Sequence, residues 1–130
     1  MADLPRVGAT SQIVGVTLVT TAETILNTVP AIPVPNVAGL CLIIGWAQVL
    51  LGTNATSLTL RLRRGTLVTG ALVGVAQLEQ GAAGNVVDQI IIATDPLASQ
   101  DADQYVLTAV QNAATANGNV VQSALITLTF

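Results

Sequence analysis

From Gln12 onward the chain is a succession of short β-branched and apolar runs, each closed by a turn signal, and no apolar spacing settles into a helical period. The runs lie at residues 12–19, 22–29, 40–51, 57–64, 72–78, 86–93, 105–111 and 120–130. The fourth alternates most cleanly: Leu58, Leu60 and Leu62 take one side, and Thr59, Arg61 and Arg63 the other. That is the two-residue period of a strand with one face in the core and one in water. In the last run Val120, Gln122, Ala124, Ile126, Leu128 and Phe130 oppose Val121, Ser123, Leu125, Thr127 and Thr129, which turns Phe130 toward the core. Alanine-rich residues 97–102 and 110–116 are too short, and lack the apolar stripe, for a stable helix.

Eight strands at this spacing imply an all-β fold, a two-sheet antiparallel sandwich with a jelly roll as its leading arrangement. One domain over residues 12–130 suits a chain of 130 residues. Pro30, Pro33 and Pro35 make the segment between the second and third runs an extended crossover, because each removes a ladder donor. Residues 80–85 and Asn117-Gly118 read as turns, the latter a hairpin signal. Asp95-Pro96 opens an acidic loop.

Charge is the anomaly: 8% of residues carry one, against roughly 25% in ordinary soluble domains. The cations are Arg6, Arg61, Arg63 and Arg64, with no lysine or histidine, which speaks against nucleic acid as a partner. Without histidine or lysine, Ser-His-Asp, Cys-His and Ser-Lys nucleophiles cannot be assembled within the chain. A lone cysteine, Cys41, provides no zinc cluster and no intrachain disulfide, and it reads as a small buried hydrophobe. Paired carboxylates are available, but one Trp, one Tyr and one Phe make a poor sugar platform. The expectation is a chain that is not an enzyme and takes no cofactor. Asp95, Asp101 and Asp103 read as a solvated loop in preference to a cation site.

Residues 37–52 are uncharged and mostly apolar, yet Gln48 interrupts them and no basic residue flanks them, so a strand buried on both faces is expected over a membrane helix. A homo-oligomer covering this strand would use Leu40, Leu42, Ile44, Trp46, Val49 and Leu51. Arg61 and Arg63, on one strand face, form either a docking patch or ion pairs with this chain's own acids. Residues 1–11 read as an arm, with Leu4 and Val7 able to lie in a groove and Arg6 able to meet an acid, or as a plain flexible terminus. The opening residues lack the pattern of a secretory signal, so synthesis for use in the cytoplasm is expected.

Two resemblances sharpen these readings. Asp101-Ala102-Asp103-Gln104-Tyr105-Val106-Leu107 resembles the strand F stretch of immunoglobulin-like domains, although both cysteines of that family are missing; it implies an immunoglobulin-like sandwich with Trp46 in the core. The Thr, Ala, Val and Gly-rich texture, as in residues 55–65 and 108–118, resembles small virion proteins of tailed bacteriophages, of the head decoration or cement class. That resemblance implies a trimer on the virion surface, bound to the major capsid protein and stabilising the shell. A fibre or tail adhesin, a carbohydrate-binding module and a jelly-roll coat protein are the competing roles for the same sandwich.

Overall fold

The computed structural model describes residues 7–29, 32–33, 39–50, 58–78, 84–97, 102–111 and 119–129. Its strands are β1 (Val7–Leu18), β2 (Thr24–Thr28), β3 (Ile32–Pro33), β4 (Gly39–Leu50), β5 (Leu58–Arg64), β6 (Leu72–Leu78), β7 (Val86–Leu97), β8 (Ala102–Asp103), β9 (Tyr105–Gln111) and β10 (Asn119–Thr129). Sheet A runs β1-β10-β4-β7 and sheet B runs β2-β9-β5-β6, every pairing antiparallel; β3 and β8 form a two-residue ladder beside them. Apart from the β5–β6 hairpin within sheet B, successive long strands pass from one sheet to the other, the order of a jelly roll. Trp46 stands on the outer side of sheet A, half-exposed, so the immunoglobulin-like reading with a core tryptophan does not hold.

Strict alternation builds the core. β4 buries Cys41, Ile43, Gly45, Ala47 and Val49, and β5 buries Leu58, Leu60 and Leu62 opposite them, joined by Leu107, Leu125 and Ile91. Each buried aliphatic side chain contributes about 1.5–3 kcal/mol relative to an exposed one. Small residues occur where the sheets approach: a Cβ on Gly45 would stand 2.8 Å from Ile91 Cγ2 and 2.9 Å from Leu107 Cδ1. The long apolar strand is therefore buried on one face only, contrary to the two-sided burial expected of it.

Two bulges reset the pattern in sheet A. Val120 pairs with Val49 but Gln122 pairs with Gln48, so Val121 is an extra residue and the inward parity of β10 reverses there. Ser123, Leu125, Thr127 and Thr129 consequently face the core, the opposite set from the one the sequence implied, while Phe130 lies outside the described residues. In β1 the register shifts between Val14 and Thr17, around Gly15, whose φ of 147° a side chain would strain.

Residues 7–11, expected within an 11-residue arm, belong to β1, with Val7 opposite Thr129 and Ser11 opposite Leu125. Pro33, expected in a crossover outside any ladder, instead pairs with Ala102, and Ile32 with Asp103; Leu4, Arg6, Pro30, Pro35, the hairpin turn at residues 117–118 and Asp101 lie outside the described residues. Asp95 and Pro96, expected to open an acidic loop, lie in a strand. β7 runs through Asp95 and Pro96, which an edge strand tolerates because the missing amide of Pro96 has no second neighbour to serve.

Candidate interaction surface

The two outer faces of the sandwich are chemically unlike. On sheet B, Arg61 and Arg63 project from β5, and Glu23, just before β2, reaches across the intervening strand β9 to both. Arg61 Nη1 donates to Glu23 Oε2 at 2.9 Å, and Arg63 donates through Nε to Oε1 at 2.7 Å and through Nη2 to Oε2 at 2.9 Å. Beneath them the Thr108 hydroxyl donates to Glu23 Oε1, and Arg63 Nη1 donates to the Gly70 carbonyl. The hydrogen bond from Arg63, reinforced by Thr108 and Arg61 against the cost of desolvation, lowers the Glu23 carboxyl from 4.5 to about 2. The same contact raises the Arg63 pKa. Of the two readings of the arginine face, pairing with the chain's own acid is the one the structure carries.

Arg64 turns to the other side of β5 and bridges the sheets. Its Nε and Nη2 donate to the two oxygens of Asp95 on β7, at 2.8 and 2.5 Å, and Tyr105 Oη from β9 donates to Asp95 Oδ2 at 2.8 Å. Asp95 is buried here, so it is no solvated loop residue. All three described arginines are thus committed to carboxylates of this chain. No group of three metal-ligating side chains occurs among the described residues, and none of their helices is long and apolar enough to cross a membrane.

Sheet A presents the opposite chemistry. Register sets its outward side chains in rows across the sheet: Leu128, Leu42 and Thr94; Thr10, Ile126, Ile44 and Ile92; Gln12, Ala124, Trp46 and Ile90. The next row is polar on β10, β4 and β7, with exposed Val14 opposite Gln122 at its β1 end. Gln122 Nε2 donates to Gln48 Oε1 at 2.9 Å, and Gln48 Nε2 to Asp88 Oδ1 at 3.4 Å. Beyond it Leu50 pairs with Val86, and at the far end Leu40 pairs with Pro96. Asp88 is the one charged residue on this face among the described residues. Leu40, Ile90 and Ile92 are 42%, 57% and 65% exposed, which leaves a contiguous apolar patch open on the single chain, with Val86 standing apart from it beyond the polar row.

Of the residues expected to form an oligomer interface, Leu40, Leu42, Ile44 and Trp46 share this outer face. Val49 does not: it is fully buried inside the sandwich, and Leu50 holds the outward place beside it. The uninterrupted apolar run concealed the parity. Leu51 lies outside the described residues. Sequence reasoning missed Ile90, Ile92, Leu128 and Ile126, although each alternates outward on a strand it had located.

No protein-family model and no curated protein matches the chain. Among solved structures it is similar to a chain of infectious bursal disease virus, Gx strain, at 10% identity and TM-score 0.56; the match covers 97% of this chain and 33% of that one. It is also similar to the Eiger TNF of S. frugiperda, at 11% identity and TM-score 0.55 over 98% of this chain and 94% of that one. A chain of Bacillus endospore appendages, which form disulfide-linked pili, aligns at 15% identity and TM-score 0.49 over 100% and 95%. None of the three is described as a phage decoration protein. At such identities the first two show the fold alone, a jelly-roll β-sandwich.

Proposed function

We propose that this chain is a structural virion protein that decorates and stabilises a viral shell as a homo-oligomer, without catalytic work. One observation carries the reading: an apolar outer face on sheet A, in a molecule whose described cations are all spent on internal ion pairs. A surface of that kind acts by being covered, because it offers neither a steering charge nor a nucleophile. The jelly roll supplies a rigid frame for such contacts, and the texture shared with decoration proteins supplies the setting on a capsid.

Particles of the parent virus stripped of this chain, mixed with the purified protein and sedimented, test the proposal. The protein is expected to pellet with the particles in a fixed ratio and to raise their resistance to heat. Protein that stays in the supernatant at every concentration would defeat the virion reading.

A further inference from the structure

We infer that the outer face of sheet A is covered by the same face of a second copy of this chain, in a two-fold contact. The inference rests on the reading above that the molecule works through its surfaces, and it names what meets this one.

Size comes first. From Leu40 to Leu50 at about 3.4 Å per residue, and over three strands about 4.8 Å apart, the patch covers on the order of 500 Å² in projection. Two copies would bury about 1,000 Å² or more, the area at which an interface becomes a specific one. Composition points the same way. Interfaces between identical subunits are more apolar than transient ones, whereas a face built only to touch a shell would resemble ordinary surface. A decorating protein also has to stay soluble before it meets its particle, and the partner always present at its own synthesis is itself.

The rows then select an arrangement. A two-fold axis along the strands, between β10 and β4, lays β4 of each copy over β10 of the other. Near the axis Ile44 would face Ile126, and the large Trp46 would face the small Ala124, which share a row within each copy. At the centre the polar row would meet its own counterpart, Gln48 over Gln122, while at the rim Asp88 on β7 would lie over Val14 on β1. Such an isologous contact needs a single surface patch. It joins copies in pairs, in place of the three-fold ring implied by the phage resemblance.

Native mass of the full chain at micromolar concentration tests this, with Trp46 emission as a second readout because the chain has no other tryptophan. The expected result is a dimer or an even multiple of it. Ile92→Asp on the patch and Ala124→Trp near the axis should each weaken association by about 100-fold, near 2.7 kcal/mol, and Ile92→Asp, which leaves Trp46 the sole tryptophan, should also red-shift its emission as the face opens to water. Leu67→Asp, at a residue 63% exposed in the turn after β5, is the control and should change neither. A monomer, a closed ring of odd number, or equal weakening by Ile92→Asp and Leu67→Asp would overturn the inference. A dimer that ignores particles would sustain this contact while defeating the virion role, and a monomer that binds particles would do the reverse.

Discussion

Tyr105, on β9 of sheet B, gives its phenolic hydrogen to Asp95, on the edge strand of sheet A, at 2.8 Å. With Arg64 holding the same carboxylate, the contact ties the two layers through a buried charge. Hydrogen bonds to charged groups contribute about 1.5–3 kcal/mol. Tyr105→Phe keeps the ring and removes only that donor, so it should lower unfolding free energy by about that amount. Urea titration checks it: the midpoint should fall with an unchanged slope, and an unshifted midpoint would mean the bond contributes nothing.

Glu23 links acidity to stability. Its carboxyl is lowered from 4.5 to about 2, so the unfolded chain takes up a proton at higher pH than the folded one. The stabilisation is therefore complete above pH 4.5 and drains away as pH falls toward 2. Allowing for solvent around Arg61, its size is about 2 kcal/mol. Glu23→Gln should cost roughly that at neutral pH and flatten the acid limb of a stability-against-pH curve; a variant curve parallel to wild type would contradict the linkage.

Gly70 closes the turn between β5 and β6. A Cβ there would stand 2.0 Å from the Arg64 carbonyl oxygen, a backbone atom that cannot swing away. Gly70→Ala should destabilise by about 2 kcal/mol or more, because the turn must open and loosen the Arg63 bond to the Gly70 carbonyl. Thermal melting would show it as a drop of several degrees, and a melting point within one degree of wild type would count against the clash.

Cys41 is fully buried on the inner side of β4. Its thiol should resist a water-soluble disulfide reagent in the native protein and react at once in denaturant. Rapid labelling of the native chain would place β4 in the opposite orientation.

The strands were largely legible before the fold was, and for a local reason. Residues 72–78 and 105–111 coincide with β6 and β9 because alternation and flanking turn residues are written within ten positions. Facing was harder. In β4 both sides are apolar, so no polarity contrast separates Val49 from Leu50, and in β10 the bulge at Val121 reverses the parity that counting carries forward. Glu23 and Arg63 lie forty residues apart and meet only because sheet B sets β2 two strands from β5, which no window of sequence encodes. Asp95 looked like loop because proline follows it; the edge position that excuses Pro96 is a property of the finished sheet.

The pairing of β1 with β10 has a consequence for how the molecule is made. Val7 finds its place only against Thr129, so β1 has no partner in sheet A until β10 has been made. Sheet A cannot close, nor its outer rows assemble, until the tenth strand has emerged. Ladders joining such distant stretches fold slowly, because loop-closure entropy is spent before contacts repay it. The outer rows of sheet A are therefore complete only once stretches more than a hundred residues apart have met.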